Sequence, residues 1–162
     1  MPILRAMNAY RSRPDHCTPS MAWEPVTVEK RILVVDDDLY SREGLRVSLQ
    51  GEGYRVETAA DSWQAIRIIK EHPFDIAIID LDLPPVHGVT VNGWDLARIF
   101  RAYHPAISII VVSAEDRQAA RVEAERLKVS EFLEKPINPT QLKMIVRTLH
   151  AVSEEHATGE DD

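Results

Sequence analysis

The chain has 162 residues, 44% apolar and 28% charged, with a formal charge of −7, which is the make-up of a globular domain able to bury a full core. No apolar run approaches the roughly 18 residues of a membrane span, and a single cysteine, Cys17, excludes a disulfide framework and fits a reducing cytoplasm. Residues 30–150 hold 16 Lys+Arg against 18 Asp+Glu while residues 151–162 hold five acids and no Lys or Arg, so the negative excess is mostly terminal and no basic stripe favours nucleic-acid binding.

Residues 1–29 carry Pro2, Pro14, Pro19 and Pro25 without a sustained period and are expected to form a flexible N-terminal extension. From Lys30 strand-like and helix-like segments alternate. "RILVV" reads as a buried strand, and the following helical stretch has Leu45 and Leu49 four apart before Gly51 and Gly53 stop it. "RVETA" is a short strand. "DSWQAIRIIKEH" is a helix capped by Asp61 or Ser62 and closed by Pro73. "DIAIID" is a second apolar strand, and after a Pro/Gly-rich loop "GWDLARIFRAYH" sets Leu96, Ile99, Phe100 and Tyr103 on one helical face.

"AISIIVVS" is the third apolar strand. "EDRQAARVEAERLK" is a helix with only a thin Ala/Val face, and "EFLEK" is a short strand. Asn138-Pro139 then supplies a cap and first-turn proline for a last helix with Leu142, Ile145 and Leu149 on one face. These are five βα units. Apolar runs at 32–35, 76–79 and 107–112 have the look of parallel strands covered on both faces, predicting a doubly wound α/β fold over 30–150. The acidic residues 151–162 are expected to be a disordered tail.

In such sheets ligands sit beyond the carboxyl ends of the strands. Strand one ends in Asp36-Asp37-Asp38, strand three in Asp80 followed by Asp82, strand four in Ser113, and strand five in Lys135-Pro136. Each has an ordinary explanation alone: Asp38 or Ser41 as a helix cap, Ser113 as a satisfied polar group, Lys135 as a snorkelling surface residue. Their joint arrival on one rim favours a site. Mg²⁺ takes one or two carboxylates plus phosphate oxygens and water. Asp37 and Asp80 could supply the carboxylates, with Asp36 acting through water. Asp80 is placed to accept a phosphoryl group as an aspartyl-phosphate, Lys135 to hold a phosphoryl oxygen, and the Ser113 hydroxyl to donate to another.

"ILVVDDD", "DIAIIDLDLP", "IIVVSAED" and "FLEKPI" resemble the receiver domains of two-component response regulators, of the stand-alone, chemotaxis-regulator kind. The resemblance implies a flavodoxin-like three-layer sandwich with a five-stranded parallel sheet in order 2-1-3-4-5. It implies Asp80 as phosphoacceptor, Asp36 and Asp37 as the acidic pair, and Asp82 as the residue whose backbone carbonyl meets Mg²⁺. Ser113 matches the switch hydroxyl and Phe132 the aromatic whose rotamer follows it. Lys135 matches the family lysine, whose bond to Pro136 is typically cis. The implied donor is a histidine kinase or a histidine phosphotransfer protein, and the implied output face is the fourth helix, fifth strand and fifth helix, which would bind a downstream protein target. With only residues 151–162 after the last helix, the expectation is a cytoplasmic single-domain switch with no external substrate.

Two departures stand out. Gly88 lies eight residues after Asp80, where the family's glycine belongs, yet "GWDLARIFR" aligns better if Gly93 takes that role, which puts an insert in residues 84–93 beside the site. Lys128 stands where a glycine often follows the fourth helix, so a left-handed cap there would cost about 1 kcal/mol. Two alternatives remain: a haloacid-dehalogenase-like phosphatase, whose first motif "IIDLDLP" resembles, and a receiver-like scaffold that works without phosphorylation.

Overall fold

The apolar runs become the strands of one sheet because β-branched and aliphatic side chains on both faces find cover from helices on both sides. β1 (Arg31–Val35), β2 (Arg55–Ala59), β3 (Ile76–Asp80), β4 (Ser108–Ser113) and β5 (Glu131–Glu134) lie in the order β2-β1-β3-β4-β5, every neighbouring pair parallel. The helices are α1 (Leu39–Gln50), α2 (Ser62–Glu71), α3 (Gly93–Tyr103), α4 (Arg117–Arg126) and α5 (Pro139–Thr158). This computed structural model describes residues 29–158, and the expectations for residues 1–28 and 159–162 lie outside it. The order reversal at β1/β3 gives the flavodoxin-like fold that the motifs implied.

Two apolar layers enclose the sheet. Ala65, Ile69, Leu96, Phe100 and Ala120 bring α2, α3 and α4 onto one face, and Leu45, Leu49, Leu142 and Val146 bring α1 and α5 onto the other. Among the described residues no helix is long and apolar enough to cross a membrane.

The caps show where each helix starts. Asp38 accepts the Ser41 amide and hydroxyl at 3.3 and 2.8 Å, and Asp61 accepts the Gln64 amide at 2.8 Å, resolving both open choices in favour of the aspartates. Asn92 and Asp95 form a capping box at α3. Two expectations need correction. Tyr103 does not join the buried face of α3, which runs Gly93, Leu96, Ala97, Phe100; it is 47% exposed in the last turn, with the Lys70 ammonium 5.7 Å from its ring centroid. The helix of α5 also continues through Thr158 rather than giving way to coil at 151, since Ala151, Glu154, Glu155 and Ala157 are good helix formers.

The 84–93 segment is built structure. Val86 and Val89 exchange both backbone hydrogen bonds at 3.0 Å around His87-Gly88, whose φ angles of 52° and 76° are those of a tight hairpin turn. A Cβ at Gly93 would lie 2.6 Å from the Asp80 carbonyl oxygen and 2.6 Å from Leu81 Cα, whereas one at Gly88 would meet nothing within 4 Å. The close-approach glycine is therefore Gly93, and the chain between Leu83 and Asn92 is free to carry the extra hairpin.

Candidate functional site

The strand register assembles the rim. Val35 pairs with Ile79 and Asp80 with Val112, while Ser113 pairs with Glu134, so Asp36, Asp80, Ser113 and Lys135 emerge at one level on four different segments. The ladder continues past the strand ends: Asp36 N–H donates to Ala59 O, Leu81 N–H to Val112 O and Lys135 N–H to Ser113 O, at 3.1, 2.9 and 2.9 Å. These bonds hold the loop starts in place.

Asp80 is 2% exposed and Asp36 3%, while Asp37 is exposed. Carboxylate oxygens of all three lie within 4.8 Å of one another. Lys135 reaches in from the surface, its Nζ 2.6 Å from Asp80 Oδ2, and the Asp82 N–H donates to Asp80 Oδ1 at 2.9 Å. Each oxygen of Asp80 thus has its own donor. Asp82 itself is exposed.

Burial, above all, raises the Asp36 carboxyl above the ordinary range. The Asp38 N–H on its Oδ1 pulls it down, Asp80 pushes it up, Lys135 opposes, and Asp37 adds a further push upward. Desolvation works against the Lys135 ammonium, but the bond to Asp80 and the charges of Asp80, Asp36 and Asp82 outweigh it and leave the lysine above its usual value. One ammonium facing three carboxylates leaves negative charge uncompensated. The donor set is hard oxygen, clustered and partly open, which fits Mg²⁺.

Ser113 is fully buried, but its Oγ accepts the Glu115 N–H at 3.0 Å, and no described hydrogen bond joins it to Asp80. Phe132 is 7% exposed on β5, opposite Val111. The Lys135-Pro136 bond is cis. Arg42 had no place in the sequence argument, yet its Nη1 donates to the Asp36 carbonyl at 2.8 Å and ties α1 to the acidic loop. Its signal was weak: one cation in the first turn after a run of acids.

A family model, the response regulator receiver domain, matches residues 32–147. The chain belongs to this family. Among curated relatives, response regulator GtcR of Aneurinibacillus migulanus is 32% identical over 114 residues, covering 70% of this chain and 45% of that one. The DNA-binding response regulator MtrA of Mycobacterium bovis is 31% identical over 121 residues, covering 75% and 50%. The chain thus spans about half the length of these relatives.

Among solved structures, a CheY-like receiver domain protein from Methanospirillum hungatei JF-1 superposes with a TM-score of 0.70 at 28% identity, covering 79% of this chain and 99% of that one. The chemotaxis protein CheY4 of Vibrio cholerae gives 0.68 at 26% identity, covering 75% and 99%. Response regulator receiver domains work in two-component systems, where they interact with histidine kinases. The phosphatase alternative loses its footing here, because the acidic partners of Asp80 come from the loop after β1 of a receiver sheet.

Proposed function

We propose that this receiver domain is a Mg²⁺-dependent phosphoacceptor switch in which Asp80 takes a phosphoryl group from a histidine kinase or a histidine phosphotransfer protein. The observation that carries the reading is the pairing of Lys135 Nζ with Asp80 Oδ2 at 2.6 Å beside the Asp36, Asp37 and Asp80 oxygens. A carboxylate oxygen of Asp80 attacks phosphorus, the P–N bond of the phosphohistidine breaks, and its electron pair stays on the imidazole, leaving an acyl phosphate on Asp80. Lys135, freed from the esterified carboxylate, follows the negative charge onto a phosphoryl oxygen.

Asp36, Asp37, Asp80 and the Asp82 carbonyl would hold Mg²⁺, which supplies charge neutralisation during transfer. The Ser113 hydroxyl, which accepts the Glu115 N–H, turns to donate its O–H to a phosphoryl oxygen, and Phe132 follows it inward. Signalling then runs through binding of a protein target at α4–β5–α5, without turnover of an external substrate. Shallow seating supports α4 as the element that shifts: its buried side chain is Ala120, while Val122 is 65% exposed.

The test is intact-mass analysis after incubation with Mg²⁺ and acetyl phosphate. A single phosphoryl adduct is expected, absent in Asp80→Asn, absent in EDTA and released by hydroxylamine. No adduct on folded wild-type protein, together with no affinity for beryllofluoride, would overturn the reading and leave the phosphorylation-independent scaffold.

A further inference from the structure

α4 meets the rest of the domain differently at its two ends. At the N-terminal end the connection from β4 is held by the Glu115 N–H on Ser113 Oγ, 3.0 Å, and by the Arg117 guanidinium, itself 65% exposed, on Glu131 at 3.1 Å. The Ser113 Oγ accepts in the first of these bonds, so a hydroxyl that turns to donate its O–H to a phosphoryl oxygen on Asp80 would draw that oxygen away from the Glu115 amide. At the C-terminal end the anchors come from α3. Arg101 Nη2 donates to the carbonyls of Leu127 and Lys128 at 3.4 and 3.1 Å, where the dipole of α4 is negative, and Arg98 Nη2 meets Glu123 at 2.8 Å.

The C-terminal turn is closed on itself as well. Lys128 N–H bonds to Glu125 O and Val129 N–H to Ala124 O, at 3.2 and 3.0 Å, with Lys128 at a φ of 52°. Leu127 and Val129 pack against the apolar layer. α3 is a firm support for these arginines, because Leu96 and Phe100 are fully buried and Gly93 rests on the Asp80 backbone.

We propose that Arg101, assisted by Arg98, is a positioning residue that pins the C-terminal end of α4 to α3, so that the switch proceeds as a swing of the N-terminal end of α4 about that pin. The inference rests on the phosphoacceptor reading and specifies its moving part. The phosphoryl group releases the end of α4 that is tied to Ser113, and Arg101 keeps the other end where it was.

Amide hydrogen exchange on the full chain, with and without Mg²⁺ and beryllofluoride, tests it. In wild type the exchange change is expected at residues 114–121, with 123–129 unaffected. In Arg101→Met, which keeps the stem and removes the donors, residues 127–129 are expected to exchange about tenfold faster even without beryllofluoride, and the change on adding it spreads into 123–129. Arg101→Lys, which keeps the charge without the fork, should fall between the two and gives the answer if the Met variant does not fold.

A uniform exchange change along α4 in wild type overturns the swing. Unaltered exchange at 127–129 in folded Arg101→Met or Arg101→Lys overturns the pin. Failure of wild type to bind beryllofluoride overturns the phosphoacceptor reading and the swing with it, and is told apart by the comparison without beryllofluoride, which judges the pin alone.

Discussion

Asp36 is a carboxyl that the fold buries. Burial lifts it above the ordinary 3.8, so the folded protein holds that proton more tightly than the unfolded chain does. Stability from this group is complete below 3.8 and is lost as pH rises through the raised value, because deprotonation then leaves a buried charge near Asp80 and Asp37. Asp36→Asn should therefore stabilise the metal-free protein at pH 7 by about 1 kcal/mol, or roughly 3 °C in Tm, and flatten the fall in Tm between acid and neutral pH. Thermal melts across that range in EDTA check it; an unchanged or lower Tm in the variant at pH 7 would refute the account. Under the proposed Mg²⁺ site, added Mg²⁺ is expected to stabilise wild type, and the same substitution should weaken that effect. The crowding at Asp36 was readable from three adjacent aspartates after an apolar strand. The double grip on Asp80 by Lys135 and the Asp82 amide was not, because it depends on loop geometry that no residue pattern encodes.

At the scale of elements, glycines and left-handed residues make the sharpest tests. Gly93→Ala forces a methyl to within 2.6 Å of backbone at Asp80 and Leu81 and should cost about 2 kcal/mol, while disturbing the loop that follows Asp80. Gly88→Ala meets no neighbour within 4 Å and pays only for its φ of 76°, about 1 kcal/mol. Urea denaturation of the two variants should keep that order. Lys128→Gly should move the midpoint the other way, stabilising by about 1 kcal/mol, since Lys128 holds a φ of 52° in the closing turn of α4. The strands were legible because Ile, Val and Leu runs leave few other structures open, and the capping aspartates because each precedes an amphipathic stretch. Tyr103 misled because helical periodicity says nothing about where the neighbouring layer ends, and α3 outruns it by one turn.

For the whole molecule, the contrast lies between a sheet sealed in apolar layers and a helix, α4, moored in large part by charge. Arg98–Glu123 and Arg117–Glu131 are partly exposed pairs, weakened as salt screens them, whereas Ile32, Ile78 and Ile110 in the sheet are indifferent to salt. Raising NaCl from 50 mM to 1 M should speed amide exchange in α4 severalfold while leaving β1, β3 and β4 unchanged. Equal protection of α4 at both salt concentrations would mean that Ala120, Leu127 and Val129 hold it without help. The overall architecture followed from the order of apolar and amphipathic segments. The polar moorings of α4 did not, because they join residues 14 to 27 positions apart on surfaces rich in interchangeable Arg and Glu.

The hairpin at Val86–Val89 has a practical consequence. Its ends are fixed by buried Leu83 and by the Asn92 cap, and its tip at His87-Gly88 is exposed. It is therefore a natural graft point. A fluorophore, a short epitope or an added strand pair placed at the tip would ride beside the N-terminal end of α2, where Val86 and His87 face Asp61, Trp63 and Arg67, while the sheet and its rim keep their geometry.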